Sequence, residues 1–197
     1  MSLRPVVSGF DLDAMLGLLG SGDEGRLARL TDEFDARVAF PDPAQAALAR
    51  DALRRAVFEG ARWPDLEVEG EPHVSAAVVL AHHGQAHLPT GSDVWKMPAF
   101  WDFIKAHHDR LPPEPRKYLF MFGRGRPLFG RRIDTPWSYY GFLTLPQTRA
   151  LLASLTDLRA SDPSLQGPQF LGGFLDEFVS WLSSVSSAEK DLWFHCQ

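Results

Sequence analysis

Three prolines within four residues, Pro112, Pro113 and Pro115, set the strongest constraint on how this chain can fold. Proline has no amide hydrogen, and its ring clashes with the helical turn before it. A helix entering this run has to stop there. The run divides the 197 residues into a helical half, 1–111, and a half with the clearest strand signals, 116–197. A chain of this length fits one domain, so 1–197 is read as a single domain in which the two halves pack together.

Before the prolines, Leu3 to Ser8 is a short apolar run compatible with an opening strand. Asp11 or Asp13 can cap a helix carrying Met15, Leu16, Leu18 and Leu19, which Gly20-Ser21-Gly22 then stops. Asp23 restarts a helix with Leu27, Leu30 and Phe34 at three- and four-residue spacing. Pro41 and Pro43 break it. Ala44 to Glu59 continues as an alanine-rich helix with Leu48, Leu53 and Val57 on one side. Arg62 to Pro72 and Leu88 to Met97 read as loops. Val74 to Gln85, apolar almost all round, reads as a buried helix or a strand. Pro98 to Leu111 is a helix led by proline at its first position.

After the prolines, Tyr118 to Phe122 and Trp137 to Leu143 have the aromatic and aliphatic content of strands. The glycines between them suggest a hairpin with a long basic loop. Thr144 can cap the next helix, with Gln147 as its capping-box partner, and that helix runs to about Leu158. Phe170 to Val185 places Phe174, Phe178, Trp181 and Val185 on one helical side, and Leu192 to His195 is a terminal strand. The expected class is α+β: a small, mostly antiparallel sheet of N-terminal strand, central hairpin and C-terminal strand, covered by about six helices. Six Trp and 14 Phe supply the core, each burying on the order of 150–250 Å².

The lone cysteine, Cys196, excludes an intramolecular disulfide and a cysteine-based zinc site. The opening MSLRPVVSGFDLDAM lacks the apolar core of a signal peptide, and no apolar run approaches the ~20 residues of a membrane span. A cytoplasmic, reducing environment is the expectation.

Charge is distributed unevenly. Arg116, Lys117, Arg124, Arg126, Arg131 and Arg132 fall in one segment without an acid, while the whole chain carries −5. Such a reversal needs an acidic counterpart, inside the fold or outside it. Arginine grips carboxylate and phosphate in a fork, and the neighbouring glycines let backbone N–H groups approach an anion. The glycines match neither GxGxxG nor a Walker loop. The internal alternative is pairing with acids such as Asp32, Glu33, Asp35, Asp176 and Glu177.

Two stretches carry a family resemblance. The N-terminal apolar helix closed by GSGDE and followed by RLARL is one. The other is YYGFLT leading into a helix, then FLDEFVSWL and DLWFHC. Together they resemble a family of small bacterial proteins of unknown function, found largely in actinobacteria. YYGFLT and the residues after it are also similar to the YfbM-like family. The motifs describe packing, so the resemblance implies no particular chemistry. Some small bacterial proteins of this general kind are immunity proteins that bind and block toxins.

The remaining constellations are thin. His83 and His87, four apart within HHGQAH, are the candidate metal ligands, but Gly84 separates them and no HExxH acid accompanies them. No metal and no cofactor are expected. Cys196 and His195, adjacent on a strand, would face opposite ways. Trp137, in a loop beside arginines, has the composition of a protein-binding hot spot. Asp11, Asp13, Asp176 and Glu177 read as a cap and a solvated helix face.

Two functions stand as expectations. The first is a non-enzymatic binding module, such as an immunity-like protein, that engages an acidic protein through Arg124, Arg126, Arg131, Arg132 and Trp137. The second is an enzyme on a phosphorylated or nucleotide substrate, with the arginines clamping the anion and His82, His83 or His87 as acid–base or metal ligand. Nucleic acid is not an expected partner for so acidic a remainder.

Overall fold

The computed structural model describes residues 5–37, 42–60, 79, 85–91, 97–126, 139–166 and 170–196. Four strands lie among them: β1 (Pro5–Phe10), β2 (Gln85–Gly91), β3 (Tyr139–Leu143) and β4 (Asp191–Cys196). The helices in the first half are α1 (Leu12–Leu16), α2 (Glu24–Arg37), α3 (Pro43–Glu59) and α4 (Met97–His107). The second half adds α5 (Pro113–Arg124), α6 (Leu145–Ser161) and α7 (Phe170–Ser187). No described helix is long and apolar enough to cross a membrane.

The class is α+β. The strands form one antiparallel sheet in the order β2-β1-β4-β3, with β1 and β4 at its centre. Strands from both sides of the proline run therefore share it. Because side chains alternate along a strand, each face of the sheet receives its own layer. Leu192 and Phe194 of β4 join Val7, Leu143 and the buried faces of α4, α5, α6 and α7. Trp193, Phe10, Tyr140 and Phe142 point the other way, against Met15, Leu30, Phe34, Leu53 and Val57 from α1, α2 and α3. Buried His195 lies two residues beyond Trp193 and shares its face.

The first layer is built on rings. Phe122 lies 4.5 Å from Phe194 and 4.9 Å from Phe178, and Phe100 meets Phe122 at 5.6 Å. Phe174, Phe178, Trp181 and Val185 of α7 are all buried, as their spacing predicts.

The capping signals of Asp11 and Asp23 hold, and Asp42 supplies a further cap. Asp11 Oδ1 accepts the Ala14 N–H at 2.9 Å, Asp23 Oδ1 accepts that of Arg26 at 2.9 Å, and Asp42 Oδ1 accepts that of Ala44 at 2.9 Å. Gln147 Oε1 accepts the Thr144 N–H at 3.0 Å, the bond expected of a capping-box partner.

Four expectations are corrected. Tyr118 to Phe122 is not a strand but part of α5, in which Pro115, Leu119, Phe122 and Gly123 are buried. That spacing is helical, and Pro113 sits in the first turn, where its missing N–H costs nothing. The prolines thus end one helix and begin the next. The central hairpin is accordingly absent among the described residues, and β3 pairs with β4 instead. Leu88 to Gly91 lies in β2, where pairing with β1 overrides its loop-like composition. Leu48 is half exposed, and the buried stripe of α3 is Ala49, Ala52, Leu53, Ala56 and Val57. Of Val74 to Gln85, only Val79, helical and buried, and Gln85, the first residue of β2, lie among the described residues.

Candidate basic site on helix α5

Helix α5 carries four of the basic segment's cations at or near its length, and the fold uses them differently. Arg116, in the first turns, closes the loop before it. Its Nη2 donates to the Leu111 carbonyl at 3.0 Å and the Asp109 carbonyl at 3.3 Å, and its Nη1 lies 3.4 Å from Asp109 Oδ1. Lys117 and Arg124 are exposed. Seven residues apart, they share one helical face with Phe120 and Met121. The Arg124 guanidinium lies over the Phe120 ring at 5.3 Å. The His108 ring also makes an edge contact with Phe120, at 5.9 Å. His108 Nδ1–H donates to the Ile104 carbonyl at 2.8 Å, which fixes the imidazole orientation. Among the described residues neither Lys117 nor Arg124 has a carboxylate partner.

Arg126 turns inward. Its backbone N–H donates to the Tyr140 carbonyl at 3.1 Å, and its Nη1 donates to Gln147 Oε1 at 2.7 Å. The same Nη1 reaches the Phe142 carbonyl at 3.5 Å, a weak contact. The guanidinium carbon stands 4.2 Å from the centre of the Phe142 ring. Partial burial pulls the Arg126 pKa below its ordinary value, while the nearby Tyr118 phenol opposes that shift. Tyr118 is itself raised, first by withdrawal from water, then by its hydrogen bond to Glu114 and that carboxylate's charge. Arg126 is a cation held by a neutral amide, carbonyls and a ring.

The bond from Arg126 to Tyr140 joins described residues on either side of segment 127–138. Arg131, Arg132 and Trp137 belong to that segment and lie outside the described residues. So do His82 and His83. His87 lies in β2, at the opposite edge of the sheet from β3, so three strand spacings, about 14 Å, separate its backbone from the edge that Arg126 covers. The described residues hold no group of three or more His, Cys, Asp or Glu able to bind a metal.

Two of the acids expected as internal partners pair elsewhere. Asp35 pairs with Arg50 at 2.8 Å and Asp176 with Arg159 at 2.7 Å. Among the described residues, the carboxylate beside the basic segment is Asp109, through Arg116.

One charged cluster was not visible in the sequence. Arg110 Nη1 pairs with Asp162 Oδ2 and also donates to His107 Nδ1 at 3.3 Å. The Ser164 hydroxyl and N–H both donate to Asp162 Oδ1, at 2.6 and 2.9 Å. Beside it runs a shallow groove of about 310 Å³ lined by Arg110, Pro112, Ser154, Asp157, Leu158 and Ser161. Fifty-two positions separate Arg110 from Asp162, and no local pattern joins them. The cluster ties the end of α4 to the end of α6.

Compared with known protein families, curated proteins and solved structures, the chain matches none.

Proposed function

We propose that the chain is a non-enzymatic binding module that engages an acidic protein through the exposed face of α5. The observation that carries this reading is the pair Lys117 and Arg124, exposed and without a carboxylate partner among the described residues, with Phe120 between them. Cations around an aromatic ring suit a hot spot that meets carboxylates. Arg131, Arg132 and Trp137 follow α5 in the sequence and complete the proposed set, outside the described residues. Arg126 serves as its anchor and not as a contact. A toxin blocked by an immunity-like protein is one partner of this chemistry.

The test uses immobilised poly-glutamate as the acidic probe. Wild type is retained at low salt, and Lys117→Glu with Arg124→Glu elutes at clearly lower salt with an unchanged melting temperature. Arg131→Glu with Arg132→Glu gives a second, independent reduction. Equal elution of wild type and both variants overturns the reading.

A further inference from the structure

The groove beside the Arg110 cluster is lined by a cation and an anion that do not pair with each other. Arg110 and Pro112 enter it from the corner between α4 and α5, and Ser154, Asp157, Leu158 and Ser161 from one face of α6. Arg110 has its own internal partners: its Nη1 pairs with Asp162 and reaches His107 Nδ1 at 3.3 Å. Asp162 is held in turn by the Ser164 hydroxyl and N–H, so the guanidinium is set in place before a ligand arrives. Both Arg110 contacts use Nη1, and Nε and Nη2 remain as donors. Asp157 is exposed and has no ion-pair partner among the described residues. The Ser161 hydroxyl donates to the Leu158 carbonyl at 2.9 Å and keeps its lone pairs as acceptors. Pro112 and Leu158 supply the apolar part of the lining.

We propose that this groove binds a small zwitterion, a free α-amino acid with an apolar side chain. Arg110 takes the carboxylate through its remaining N–H groups, Asp157 takes the ammonium, and the side chain lies on Pro112 and Leu158. Electrostatics select the class. A ligand with only a carboxylate meets the like charge of Asp157, and one with only an ammonium meets that of Arg110. A molecule with both gains at each end. The volume of about 310 Å³ lies at the small end for ligand sites and suits a molecule of this size. The groove is shallow and its charges are partly in water, so each contact is screened and the binding is weak. Selectivity, more than affinity, is its signature. Lys117 and Arg124 do not line the groove, so the acidic-partner reading stands or falls separately.

The test titrates the full chain at neutral pH with L-leucine and with its two single-charge counterparts, isocaproate and isoamylamine, followed by amide NMR shifts. Leucine binds roughly tenfold more tightly than either counterpart, the equivalent of one charged hydrogen bond. The shifts centre on Ser154, Asp157 and Ser161. Asp157→Asn, at an exposed position with no ion pair to lose, brings leucine down to the level of isocaproate. Arg110→Gln brings it down to the level of isoamylamine, and Asp157→Asn decides alone if that variant does not fold. Leucine that binds no better than either counterpart overturns the proposal. So does binding that Asp157→Asn leaves unchanged, or a set of shifts centred elsewhere.

Discussion

Asp191 Oδ1 accepts the backbone N–H of Leu145 at 2.7 Å, across 46 positions of sequence. Its other oxygen accepts the N–H of Leu12 at 3.2 Å. Leu12 and Leu145 are the first residues of α1 and α6, so one carboxylate at the head of β4 caps two helices on two layers. A helix start leaves N–H groups unpaired and favours negative charge. Each cap of this kind contributes ~1 kcal/mol. Asp191→Ala should therefore cost about 2 kcal/mol, and Asp191→Asn about half of that, read as a shift in urea midpoint at constant slope. A cost for Asp191→Ala no larger than that of Asp11→Ala, which caps α1 alone, would show that the two caps do not act together.

Gly123 inverts an ordinary rule. Within a helix, alanine is preferred to glycine by ~1 kcal/mol. At Gly123 of α5, however, a Cβ would lie 2.4 Å from Phe100 Cε1 and 2.9 Å from Trp101 Cη2. Phe100 is fully buried among Phe122, Phe174 and Phe178 and has no room to retreat. Overpacking of this sort costs about 1–3 kcal/mol, enough to exceed the propensity gain. Gly123→Ala should lower the melting temperature, and a rise would mean that Phe100 repacks freely.

The elements legible in the sequence are those decided by neighbours along the chain. Asp11 and Asp23 announce their helices because a cap bonds within three residues. Phe174, Phe178, Trp181 and Val185 declare α7 because a helical stripe repeats locally. Tyr118 to Phe122 misleads because five apolar residues fit a strand or a helix equally well. The stripe that decides, Pro115-Leu119-Phe122, begins before that run. QAHLPTG contains a proline and a glycine and becomes a strand only through its distant partner β1. The basic segment shows its charge plainly, but nothing in it separates Arg124, over a ring at the surface, from Arg126. The partner of Arg126 is the same Gln147 oxygen that caps Thr144, a neutral group that a search for acids passes over.

Glu189 is the one described non-glycine residue with positive φ, at 54°, in the turn from α7 into β4. Side chains with a Cβ pay roughly 1–2 kcal/mol in this left-handed region, from which glycine is exempt. Glycine returns part of that gain through its freer unfolded chain, roughly 0.5–1 kcal/mol. The ion pair lost on substitution, Arg149 to Glu189 at 3.7 Å, is largely exposed and contributes little. Glu189→Gly should stabilise by about 0.5 kcal/mol, a rise of about 1–2 °C in melting temperature. A fall would mean that the Arg149 pair outweighs the backbone strain.

Acid should loosen the Arg110 cluster in two windows. Hydrogen bonds from Ser164 and Arg110 hold Asp162 at about 2, down from 3.8. Between those values the unfolded chain binds a proton that the folded chain refuses, so stability rises with pH. The contribution is complete above about 3.8 and is lost as pH falls through about 2. His107 behaves as a base held neutral. Partial burial first, and the Arg110 charge second, depress it below 6.5, against the pull of Asp162. The Arg110 bond to Nδ1 needs that nitrogen's lone pair, so protonation breaks it. Below 6.5 the unfolded chain takes up the proton first, and stability declines as pH falls. Urea midpoints measured from neutral pH downward should show both declines in wild type. His107→Gln should remove the upper one, and Asp162→Asn should flatten the lower one while lowering the midpoint at neutral pH. A wild-type profile that His107→Gln leaves unchanged would place the mildly acidic transition on another group.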